Sequence, residues 1–143
     1  MNVDALRRQH QDIRVIARSL GEAVSDNSQP RGVGALRWRL ARALMEHLAL
    51  EDGILYPTMQ RLPEERHRAT ALRLQAEIGS TAQTFTTYMT QWTDDRIARE
   101  WPVFCTETRA LLDALARRIE QEERILYPIA DTAARGTPAA RAG

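Results

Sequence analysis

The segment EHLALEDGILYP, residues 46–57, returns as RRIEQEERILYP, residues 117–128, 71 positions further along the chain. A repeat of this kind restricts the chain to folds built from two copies of one supersecondary unit. The copies differ at one position of chemical consequence, where His47 is replaced by Arg118.

Hydrophobic spacing identifies the unit. Leu6, His10, Ile13, Ala17, Leu20 and Val24 recur at alternating intervals of four and three, which draws one stripe along a helix. The loop SDNSQPRGVG interrupts it, and Leu36, Leu40, Ala43, His47, Glu51 and Ile54 mark a second helix. Pro57 and Pro63 bracket a short connection, after which Leu74, Ile78, Thr81, Phe85, Tyr88 and Trp92 mark a third, in the register of the first. A TDDR turn and a short extra turn lead to Trp101 and Pro102. Pro suits the first position of a helix, and a fourth stripe follows through Phe104, Thr108, Leu111, Leu115, Arg118, Glu122 and Ile125.

Helix one aligns with three and helix two with four, as a duplicated helical hairpin. The expected fold class is therefore all-α, an up-down-up-down four-helix bundle over residues 1–130, whose core positions can carry ligands from facing helices. Residues 131–143 have no periodicity and are expected to form a mobile C-terminal tail.

Composition removes several functions. Twenty basic and nineteen acidic residues are mixed along the chain, leaving no basic stripe for nucleic acid. All the basic residues are Arg, a bias that fits a GC-rich bacterial genome. No apolar run approaches the roughly 18 residues of a spanning helix, and the start lacks a signal-peptide core. No membrane association and a cytoplasmic location are expected. Cys105 has no second Cys for a disulfide or thiolate site and reads as a core residue.

The stripes carry polar residues where apolar ones are expected: His10, His47, Glu51, Arg118 and Glu122. Residues four apart share a helix face, so His47 and Glu51 can offer a nitrogen and a carboxylate oxygen to one point. Burial of such groups without a partner or a metal is costly. A His in the first helix, His-x-x-x-Glu in the second and the repeated acidic-x-x-Leu-Tyr-Pro ending together resemble the hemerythrin-like HHE cation-binding family, over about residues 4–130.

That resemblance implies two irons between the helices, bridged by one carboxylate from helix two and one from helix four. It assigns His10, His47, Glu51 and Glu122 to the first iron and the bridges. The remaining histidines would fall at Ile78 and Arg118, and neither residue can serve, since arginine does not deprotonate. The expectation is one metal per chain in a mononuclear site of two histidines and two carboxylates, with the Arg118 guanidinium neutralising the lost position. Glu77, beside Ile78, is a candidate ion-pair partner for Arg118.

Iron is the first candidate by resemblance, and manganese or zinc suits the same donors. A small diatomic or peroxide is the ligand implied, in sensing or handling oxygen, peroxide or nitric oxide. Reversible dioxygen binding of the two-iron type is disfavoured, and no catalytic residues are assigned. The alternative is a metal-free scaffold in which Arg118 pairs with the former bridging carboxylates. Among other residues, His67 reads as a surface histidine, and Trp38, Trp92 and Trp101 as packing residues. Tyr56 and Tyr127 are expected to bond backbone or water through their hydroxyls.

Overall fold

A computed structural model describes residues 2–142, with side chains to residue 136. All regular structure among the described residues is helical. In chain order come α1 (Asp4–Ala23), α2 (Gly34–Leu50), α3 (Tyr56–Met59), α4 (Glu65–Ile78), α5 (Thr81–Gln91), α6 (Asp94–Arg99), α7 (Trp101–Gln121) and α8 (Tyr127–Ala142). No helix among the described residues is long and apolar enough to cross a membrane. Helix α1 packs on α2 and α7, and α5 packs on the same two helices.

Two departures from the periodic reading matter for the site. First, α2 passes into α3, and α7 into α8, through π-helical turns at Glu51–Leu55 and Glu122–Leu126. In each, the tyrosine amide donates to the carbonyl five residues back, Tyr56 to Glu51 and Tyr127 to Glu122. Pro57 and Pro128 follow at once; a proline ring crowds the carbonyl four residues earlier, and a widened turn relieves that contact. The extra residue rotates what comes next. Ile54, placed on the core face by α-helical spacing, is 51% exposed, while Leu55, Tyr56, Leu126 and Tyr127 are buried.

Second, the expected third helix is divided at Gly79–Ser80 into α4 and α5. A methyl group on Gly79 would lie 2.3 Å from the Gln75 carbonyl oxygen, so only glycine fits this tight end. The short extra turn before Trp101 is α6, capped by the Thr93 hydroxyl accepting from the Arg96 amide. The backbone of α8 continues into the segment expected as an aperiodic tail.

The apolar side chains form two clusters. One gathers Ile13, Leu20, Leu40, Leu44, Phe85, Trp92, Trp101 and Phe104. The other gathers Leu6, Leu55, Met59, Leu74, Ile78 and Leu126 with the rings of Tyr56 and Tyr127. Trp92 and Trp101 pack as expected, whereas Trp38 is 67% exposed and is no packing residue. Between the clusters, along α1, α2 and α7, the chain places its buried polar layer.

Candidate metal centre

His10, His47, Glu51, Arg118 and Glu122 are each at most 2% exposed. Four of them, His10, His47, Glu51 and Glu122, bring one ligand atom apiece to within 4.8 Å of one another. His10 Nε2 lies 3.2 Å from Glu122 Oε1 and 3.8 Å from Glu51 Oε2. His47 Nε2 lies 3.1 Å from Glu51 Oε1. The i,i+4 spacing read from the sequence accounts for the last contact, and three separate helical segments supply the others.

Both imidazoles are oriented from behind. Gln9 Oε1 accepts from His47 Nδ1 at 2.7 Å, and the Glu123 carboxylate accepts from His10 Nδ1 at 2.9 Å. Acceptors at Nδ1 put the ring proton there and turn Nε2 inward. Arg14 in turn grips Glu123 with bonds of 3.0 and 2.6 Å. Burial and the charge of His10 push the His47 pKa down to about 4, so its ring is neutral at ordinary pH. Burial lowers the His10 pKa too, but the neighbouring carboxylates of Glu122, Glu123 and Glu51 outweigh it, and the net shift is upward. Burial raises the Glu122 pKa against the pull of His10 and Arg118.

Two buried atoms of this layer lack a hydrogen-bond partner: His47 Nε2 and Glu122 Oε1. His47 Nε2 is an acceptor facing another acceptor, Glu51 Oε1. Buried polar atoms are ordinarily satisfied, and a cation between nitrogen and oxygen donors would satisfy both. The four side chains therefore fit a metal ion.

The other side of the layer is organised by Arg118. Its Nε donates to Glu122 Oε2 at 3.0 Å, its Nη2 to Glu51 Oε1 at 3.2 Å and Asp52 Oδ1 at 2.7 Å, and its Nη1 to the Ile78 carbonyl at 3.3 Å. Burial opposes this charge, yet the surrounding carboxylates hold the Arg118 pKa above its usual value. Ile78 is buried and offers the guanidinium its backbone carbonyl. Glu77 is exposed and does not pair with Arg118; Asp52 fills that role, because the π turn carries it toward the guanidinium while Glu77 lies on the outer face of α4.

The tyrosines also depart from expectation. Tyr127 donates to Glu51 Oε2 at 2.5 Å and lies 3.0 Å from His10 Nε2, and Tyr56 donates to Glu122 Oε2 at 3.0 Å. Each hydroxyl thus serves the carboxylate of the opposite half, not backbone or water. His67 is half-buried, 3.6 Å from Glu64, and Cys105 is buried with its thiol pKa raised by burial.

Residues 1–130 match the Hemerythrin HHE cation binding domain. The chain belongs to this family. No curated protein and no solved structure matches it. As a hemerythrin HHE domain the chain carries a His/Glu cluster suited to a cation, and its match extends through both halves of the repeat. The roles that sequence spacing missed within this domain belong to Gln9, Asp52, Glu123, Tyr56 and Tyr127. A signal existed for two of them: Asp52 and Glu123 follow the paired glutamates at equivalent positions of the repeat.

Proposed function

We propose that the protein is a metal-binding hemerythrin HHE domain with one cation per chain, held by His10, His47, Glu51 and Glu122. In this reading Arg118 is the permanent cation of the second position. The observation that carries it is the pair of buried, unpartnered donor atoms, His47 Nε2 and Glu122 Oε1. The division of the carboxylates supports it as well. Each glutamate turns an oxygen to Arg118, and the remaining oxygens, Glu51 Oε2 and Glu122 Oε1, face His10.

Iron is the first candidate, with manganese or zinc compatible, and a bound ion would supply Lewis acidity and, for iron, a one-electron couple. The role we favour is sensing or handling oxygen, peroxide or nitric oxide inside the cytoplasm, on an up-down-up-down four-helix bundle. His10 and His47 bind as neutral nitrogens, Gln9 and Glu123 hold their rings, and Arg118 offsets the carboxylate charge.

The alternative, a metal-free scaffold, draws on the contacts of Arg118 with three carboxylates. Thermal melts with and without chelator separate the two. A metal bound only by the folded state adds about 2.7 kcal/mol at a hundredfold excess over Kd, which for a chain of this size is on the order of 5–10 °C. Identical melts with chelator and with added iron, manganese or zinc would favour the scaffold.

A further inference from the structure

We propose that Tyr127 is a fifth, oxygen ligand of the bound metal. This rests on the single-metal reading above and adds a residue to it. The phenol oxygen lies among the ligand atoms, 2.5 Å from Glu51 Oε2 and 3.0 Å from His10 Nε2. Its ring stacks on His10 with centroids 5.1 Å apart and an interplanar angle of 16°. The side chain is fully buried, and the π turn at Glu122–Leu126 directs it there.

The pseudo-symmetry of the repeat gives an independent argument. In the other half a cation is visible: the Arg118 guanidinium contacts Glu51 Oε1 and Glu122 Oε2 and lies 5.6 Å from the Tyr56 ring centroid, with the Tyr56 hydroxyl on that same Glu122 oxygen. Tyr127 is the repeat counterpart of Tyr56. A cation in the His10/His47 half would have Glu51 Oε2, Glu122 Oε1 and Tyr127 beside it, as Arg118 has Tyr56, while Glu51 Oε1 lies between His47 Nε2 and Arg118. The hydroxyl carries a single proton, donated to Glu51 Oε2, and lies beside His10 Nε2. On metal binding the O–H bond breaks, an O–metal bond forms and the proton leaves to solvent; no electrons are transferred.

Ferric iron is the probe, because a phenolate bound to it gives a visible charge-transfer band and enhanced tyrosine ring modes in resonance Raman spectra. Untagged full-length protein is treated with ferric nitrilotriacetate, desalted, and measured for iron content and absorption. The expected result is bound iron with the band. Tyr127→Phe should keep iron and lose the band, and Tyr56→Phe should keep both. Should Tyr127→Phe fail to fold, Tyr56→Phe and Tyr88→Phe decide, since the chain has three tyrosines and retention of the band in both leaves only Tyr127. Bound iron without a phenolate signature, a band that survives in Tyr127→Phe, or a band lost in Tyr56→Phe or Tyr88→Phe overturns this proposal alone. No bound iron overturns it together with iron as the metal of the site.

Discussion

Arg118 Nη2 lies 2.7 Å from Asp52 Oδ1, joining the buried guanidinium to a carboxylate that is one-third exposed. The contact ties α7 to the first π turn and gives Arg118 a third anion beside Glu51 and Glu122. Its partners predict a graded response. Asp52→Asn, at the partly exposed end, should cost about 1 kcal/mol or less. Arg118→Met leaves two buried glutamates without their cation and should cost roughly 3–5 kcal/mol. Denaturant melts of the chelator-treated proteins check both; equal losses would show that Asp52 bears the charge balance.

Gln9 touches the centre only through His47 Nδ1. Gln9→Leu removes the acceptor that fixes the inward nitrogen, and metal affinity should fall roughly 10–100-fold with little change in helix content. Competition against a coloured chelator measures the affinity, and far-UV circular dichroism the fold.

The two histidines pull the pH dependence of the chelator-treated protein in opposite directions. The folded pKa of His47 is lowered to about 4, so the unfolded chain binds its proton more tightly, and stability falls as pH drops from about 6.5 toward 4. The folded pKa of His10 is raised, so its contribution is complete below about 6.5 and is lost as pH rises through the folded value. These two groups together place a stability maximum near pH 6.5. His47→Gln should flatten the acid limb and His10→Gln the alkaline limb in denaturant melts across that range. With metal present the balance changes, because binding displaces the His10 proton and affinity rises with pH.

Helical periodicity made the polar layer legible, since His10, His47, Glu51, Arg118 and Glu122 fall in apolar stripes and are all buried. It carried less far beyond Glu51 and Glu122. A period of 3.6 puts Ile54 and Ile125 on the core face, but Ile54 is exposed and Ile125 only half-buried against the core, and the π turns that begin at each glutamate bury Leu55, Tyr56, Leu126 and Tyr127. The tyrosine contacts and the Asp52 partnership depend on that rotation, so spacing alone assigned the hydroxyls to backbone or water and favoured Glu77. Gly79 similarly ends α4 through a backbone contact that hydrophobic spacing does not encode.

In the single-metal reading, Ile78 and Arg118 stand where the family's remaining histidines are expected. Ile78→His together with Arg118→His removes the guanidinium and restores two nitrogens beside the freed oxygens of Glu51 and Glu122. The double variant should bind one more metal per chain than the parent, by elemental analysis after iron loading. An unchanged metal content would show that the second position needs more than its two histidines.

The most direct test counts metal in the unaltered protein. Chain purified without a histidine tag, loaded with excess ferrous iron under anaerobic conditions and desalted, is analysed for iron and for protein by amino-acid analysis. With Arg118 as the fixed second cation, the ratio is one iron per chain. Two per chain would contradict the replacement of a metal by Arg118, and a ratio of zero, repeated with manganese and zinc, would contradict the metal centre itself.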